Sequence, residues 1–175
     1  MGVLLVSGCG SSQAPDLAAR CPRVSLLADA ATLTQFAPGP GRDLTDVDYQ
    51  AEFTDVQADC QVMGGRGNGQ IVVVTVAPVM TVVRGPANND RQADFSYLVS
   101  VIGLDQSILN VQRFPIAVSF PGNLTRLSVI DNDPPVTVRI PLTEGTTGRQ
   151  YDILVGFQLT PDELEYNRRR DGQTR

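Results

Sequence analysis

The chain has no histidine, no lysine and no tryptophan in 175 residues, and aromatic residues make up only 6%. Each gap closes off chemistry. Without histidine there is no Ser-His-Asp triad, no imidazole metal ligand and no side chain that titrates near neutrality unaided. Without lysine there is neither a Schiff-base amine nor a phosphate-loop cation. All 14 basic residues are arginine, a bias that a GC-rich genome also produces. No apolar run approaches the ~20 residues that a membrane-crossing helix requires. Membrane attachment would have to come from a lipid or from a removed segment. The 19 acidic residues outnumber the basic ones, giving a net charge of −5. With no basic stripe, nucleic acid is not an expected partner.

What is present is an ordinary globular composition, 42% apolar and 19% charged. The length suits one domain with a real core plus a tether. Cysteine is scarce: Cys9, Cys21 and Cys60. Cys9 closes the segment Leu5-Val6-Ser7-Gly8-Cys9, apolar residues followed by small ones and then a thiol. This resembles the lipobox of bacterial lipoproteins. In that family the thiol accepts a diacylglycerol and the peptide bond before it is cut. The resemblance implies lipidation at Cys9, with residues 1–8 as a truncated signal segment. That segment lacks the basic residues and the longer apolar stretch of a complete signal, which points to a start placed too late or a chain trimmed upstream. In Gram-negative sorting an aspartate after the lipidated cysteine retains the protein at the inner membrane. Gly10 stands there, so the resemblance implies the outer membrane, facing the periplasm.

Setting Cys9 aside leaves an even pair, and Cys21 with Cys60 can form a disulfide in an oxidising compartment. Two buried free thiols are the alternative. No cysteine spacing supports a zinc site. Residues 10–20 are small and polar, a linker composition, so residues 9–20 read as lipidated cysteine plus flexible tether. Residues 21–170 read as the folded domain and 171–175 as a disordered tail.

The domain reads as strands. Val24 to Leu27 forms a first one, Ala28 to Phe36 is ambiguous, and residues 37–41 (Ala-Pro-Gly-Pro-Gly) form a loop. Val47, Tyr49, Ala51 and Phe53 alternate, and Val56, Ala58, Cys60 and Val62 continue in the opposite parity. A bulge or corner near Thr54-Asp55 explains the flip. The glycines at 64, 65, 67 and 69 form a hairpin tip, lacking the strand-to-helix setting of a phosphate loop. Ile71 to Val76 reads as a buried central strand, and Pro78 is expected to turn Val79 to Val83 out of the sheet or to an edge. Phe95 to Val101 and Ile108 to Phe120 form a long hairpin. Short strands follow around Leu127–Ile130 and Val136–Ile140, then a last one from Tyr151 to Leu159. A short C-terminal helix opens at Thr160, with Pro161 at its first position and Glu163 completing a capping box. The expected fold is an all-β antiparallel β-sandwich, immunoglobulin-like in architecture, although antibody domains' tryptophan and paired-cysteine spacing are missing. A small barrel is the runner-up.

From Cys21 onward the chain also resembles a group of uncharacterised lipoproteins of α-proteobacteria. The matching pieces are Cys21-Pro22-Arg23-Val24, Gly41-Arg42-Asp43-Leu44-Thr45-Asp46-Val47, and Tyr151 through Val155-Gly156-Phe157-Gln158-Leu159-Thr160 to Asn167-Arg168. This resemblance implies an envelope lipoprotein and brings no activity with it. Locally, Val129-Ile130-Asp131-Asn132-Asp133-Pro134 resembles the Asp-rich strand end of calcium-binding Calx-β repeats, where clustered oxygens would ligate Ca²⁺. A polar turn bonding to its own backbone explains the same residues.

Asp43, Asp46, Asp48, Glu52, Asp55 and Asp59 allow a reading as paired carboxylates for glycoside hydrolysis or as a solvated strand face. Arg168, Arg169 and Arg170 could meet anionic headgroups or complement the helix dipole. No catalytic, cofactor or metal residue is assigned. The expectation is a non-enzymatic accessory or interaction module, anchored to the membrane at Cys9 and meeting an envelope protein partner. The alternative is a calcium- or glycan-binding envelope protein.

Overall fold

The computed structural model describes residues 20–64 and 69–173. The lipobox, Cys9 and most of the linker lie outside them. Among the described residues nine strands and one helix follow in the order β1 (Arg23–Leu26), β2 (Thr32–Phe36), β3 (Val47–Met63), β4 (Ile71–Arg84), β5 (Gln92–Ile102), β6 (Ile108–Ser119), β7 (Arg126–Ile130), β8 (Val136–Pro141), β9 (Asp152–Phe157) and α1 (Pro161–Gln173). One sheet runs β1-β9-β5-β6. The other runs β2-β3-β4, with the far side of β4 shared by β7 and β8. All neighbours are antiparallel except β1 and β9, which run parallel. The expected β-sandwich is thus the observed one. Its likeness to immunoglobulin domains lies in the two-layer architecture, and its strand order is as given above.

The core forms where alternating residues of both sheets face inward. Val47, Tyr49, Ala51 and Phe53 of β3 are buried, as are Val72, Val74, Val76, Met80 and Val82 of β4. Opposite them lie Phe95, Tyr97, Val99 and Val101 of β5 with Ile153, Val155 and Phe157 of β9. Aromatic rings tie the layers together. Phe157 stacks on Phe53 across the sheets at 4.1 Å, and meets Phe95 edge-on at 5.5 Å. Tyr97 meets Phe53 edge-on at 6.1 Å and stacks on Phe114 at 5.2 Å.

The parity flip in β3 is a bulge: Phe53 pairs with Met80 and Asp55 with Val79, leaving Thr54 as the extra residue. The ambiguous Ala28–Phe36 segment divides into a 3₁₀ turn over Ala28–Ala30 and the strand β2. Pro78 overturns one expectation, since β4 continues through it to Arg84 without leaving the sheet. The reason is local. The N–H and C=O of a strand residue point to the same side, and the Pro78 carbonyl accepts from the Asp131 N–H at 3.1 Å. The missing donor therefore faces the junction where β8 hands over to β7, and no ladder bond is lost.

The helix opens with the expected capping box: Glu163 N–H donates to Thr160 Oγ1 at 3.3 Å and Thr160 N–H to Glu163 Oε2 at 2.7 Å. It runs through Gln173, so three of the residues expected as tail are helical. Its docking is polar. Asn167, 2% exposed, donates through Nδ2 to the carbonyls of Asp29 and Thr32 at 3.1 and 2.8 Å. Tyr166 meets Phe36 edge-on at 5.3 Å. The helix thereby covers the free edge of β2.

Candidate functional site

The chain enters the domain at a firmly held root. Cys21 is disulfide-bonded to Cys60 on β3, with Cα atoms 6.2 Å apart. Pro22 is buried, and Arg23 makes a two-pronged contact with Asp152 of β9, at 3.1 and 3.2 Å. Gly148 completes the root. A Cβ there would run into the Arg20 carbonyl, so only glycine lets the chain pass this close. Beside the root lies an open surface hollow of about 900 Å³, bordered by Arg23, Ile102, Leu104, Arg149 and Asp152.

The remaining sequence candidates are dispersed. Asp43 and Asp46 cap a 3₁₀ turn, with Asp43 N–H donating to Asp46 Oδ2 at 3.0 Å. Asp48 accepts from buried Asn88 at 2.9 Å, Asp55 from the Val56 N–H at 2.8 Å and Asp59 from Gln61 at 3.3 Å. Glu52 stands exposed on the outer face of β3. From Asp46 to Asp59 an extended strand covers about 40 Å, so these carboxylates form a solvated row and do not converge. The loop after β7 holds one structural acid. Asp131 Oδ2 accepts from the Tyr97 hydroxyl at 2.5 Å, while Asp133 is exposed. Among the described residues no three His, Cys, Asp or Glu side chains gather as a metal site.

The arginine triplet of α1 is engaged within the domain. Arg168 pairs with Asp29 at 2.9 Å and Arg169 with Glu165 at 3.3 Å, while Arg170 donates to Thr32 Oγ1 at 3.2 Å. All three serve the docking and solvation of the helix.

Sequence reasoning missed the buried asparagines and the tyrosine contacts. Asn88, 1% exposed, bonds Asp48, the Gln92 carbonyl and the Arg91 N–H, and so closes the β4–β5 loop. The run Asn88-Asn89-Asp90 consists of turn formers, but nothing in it distinguishes the member that turns inward.

Two tyrosines make the fold sensitive to alkali. Burial pushes the Tyr49 hydroxyl well above its ordinary 10.0, helped by the negative charges of Asp48, Glu163 and Asp94. Burial acts likewise on Tyr97, with the hydrogen bond to Asp131 and that residue's charge adding to it. The unfolded chain ionises these phenols more readily than the folded one. Their contribution is therefore complete below pH 10.0 and is lost as pH rises past it. Urea midpoints taken from about pH 8 to pH 11 should fall above 10. In Tyr49→Phe/Tyr97→Phe that fall should be shallower.

No protein-family model, curated protein or solved structure matches the chain.

Proposed function

We propose that this chain is a lipid-anchored β-sandwich that serves as a non-enzymatic interaction module of the bacterial envelope. The observation that carries the reading is Leu5-Val6-Ser7-Gly8-Cys9, followed by the small polar residues 10–20 and then by the domain. A diacylglycerol on Cys9 would supply roughly 0.8 kcal/mol for each buried CH₂, and two or more chains give stable attachment. A linker with the small, polar composition of residues 10–20 would have an average reach of roughly 18 Å. That distance keeps the sandwich close to the bilayer while leaving it free to turn. A disulfide at Cys21–Cys60 is what an oxidising compartment outside the cytoplasm favours. The absence of histidine and lysine and the dispersal of the carboxylates support a binding role over a hydrolytic one. The partner is an envelope protein, and Gly10 after the anchor favours placement at the outer membrane.

Expression in a Gram-negative host, followed by membrane fractionation and intact mass measurement, tests this reading. The wild type should float with membranes and carry a mass increment of acyl chains on a chain beginning at Cys9. Cys9→Ser should be found without the adduct and in the soluble fraction. An unmodified, soluble wild type would refute the proposal.

A further inference from the structure

Segments remote in sequence meet at the end of the sandwich where the chain enters it. The Cys21–Cys60 bridge sets the last turns of β3 beside the root. Arg23 pairs with Asp152 and Asp152 with Ile102, which brings the β5–β6 turn to the same end. Met63 pairs with Ile71 and Ile71 with Pro141, so the start of β4 and the loop after β8 belong there too.

Large apolar side chains stand exposed at this end. Leu104 is 72% exposed on the β5–β6 turn, with Ile108 at 67% and Leu109 at 54% just after it. Met63 and Ile71, paired on the outer face of the other sheet, are exposed as well. At the far end Leu44 and Leu124 lie on separate loops. Single exposed apolar residues are ordinary, but a group of them marks a contact surface.

The polar groups here suit an anionic surface. Leu104 borders the open hollow beside the root together with Arg23 and Arg149. The Arg149 guanidinium is exposed and bonds to no other group among the described residues. Over residues 20–23, 60–64, 69–72, 102–109 and 141–152, Arg20, Arg23 and Arg149 balance Asp105, Glu144 and Asp152. The chain's excess of negative charge therefore lies elsewhere.

The tether selects the occupant. Cys9 precedes Cys21 by twelve residues, and a tether of that composition would reach roughly 18 Å on average. From Cys60 back to Val47, towards the far end, β3 covers about 40 Å. A domain held by its root thus meets the bilayer with the root end first.

We propose that this end docks on the bilayer surface, with Leu104 and Ile108 entering the hydrocarbon boundary and Arg149 meeting lipid phosphates. Docking presupposes the lipid anchor on Cys9 proposed above. The contact is weak by itself, and the anchor makes it intramolecular, so that a high local concentration of lipid stands in for affinity.

The chain has no tryptophan, so a single substitution supplies a reporter. Lipidated Leu104→Trp is placed on vesicles of phosphatidylethanolamine and phosphatidylglycerol, with or without bromine on the acyl chains. Its emission should shift to shorter wavelength and be strongly quenched by the bromine. Leu44→Trp, at the far end, should emit as it does in the soluble Cys9→Ser background and escape quenching. Adding Ile108→Asp/Arg149→Glu to Leu104→Trp should return its emission to the soluble value. Hydrogen exchange reads the wild type without any new aromatic group. The amides of residues 103–108 should exchange more slowly in the lipidated protein on vesicles than in soluble Cys9→Ser, while those of 121–125 do not change. Equal quenching of the two tryptophan variants, or unchanged exchange at 103–108, would overturn docking even where intact mass shows the acyl adduct and upholds the anchor. Absence of the adduct would overturn both. Exchange at 103–108 that slows in soluble Cys9→Ser as its concentration rises would assign the patch to a second copy and overturn the proposal.

Discussion

Phe157→Ala should destabilise the domain by about 3–5 kcal/mol. The residue is 2% exposed and belongs to β9, yet its closest ring is Phe53 of the opposite sheet. Phe95 meets it edge-on from the neighbouring strand β5. Truncation therefore removes the apolar transfer energy of the ring together with two aromatic contacts. The cavity left between the layers has little means of collapsing, because its walls are strands hydrogen-bonded on both sides. Denaturant unfolding should show a lowered midpoint with the slope unchanged. Phe157→Leu refills most of the space and should lose much less, below about 1.5 kcal/mol. A loss under about 1 kcal/mol for the alanine variant would contradict the central place given to this ring.

Opening the Cys21–Cys60 disulfide is the second large effect. The bridge closes a loop with a sequence separation of 39, and the chain-entropy relation assigns about 4 kcal/mol to a loop of that size. In a domain of this length each kcal/mol moves the melting temperature by roughly 2–4 °C. Cys21→Ser/Cys60→Ser should thus melt about 8–16 °C below the wild type. Reductant should lower the wild type by a similar amount and leave the double variant where it is. A wild type whose melting is unaffected by reductant would show that the bridge does not form in solution.

Much of this fold was legible along the chain because its signals are local. The flip of parity in β3 needed only the order of apolar residues around Thr54, and the bulge appears there. The capping box needed only Thr160 and Glu163. Cysteine parity pointed to the Cys21–Cys60 pair. The features that escaped depend on residues far away in sequence. Whether Pro78 ends a strand is decided by β7 and β8 meeting beside it, some fifty residues later. Asn167 reads as an ordinary helical residue until its partners Asp29 and Thr32 are brought to it.

The candidate sites divide the same way. The acidic run was open to two readings, and only the extended geometry of β3 spread it into a solvated row. The one residue on which the functional proposal most depends, Cys9, lies outside the described structure. Its claim rests on the neighbouring sequence.

The position of the disulfide also fixes how the domain bears mechanical load. A pull arriving along the chain at Arg20 reaches Cys21, where the covalent path forks. One branch follows the backbone into β1, a four-residue strand held by a parallel ladder. The other crosses the sulfur bridge straight into β3, a 17-residue strand paired with β4 from Tyr49 to Met63 save for the bulge at Thr54. The second branch is the shorter, so tension bypasses residues 22–59 and is carried by the longest ladder in the protein. Reduction would move the same force onto β1. The bridge therefore works as a strain relief at the cable entry, and a domain tugged from its N-terminal end yields last where it is held best.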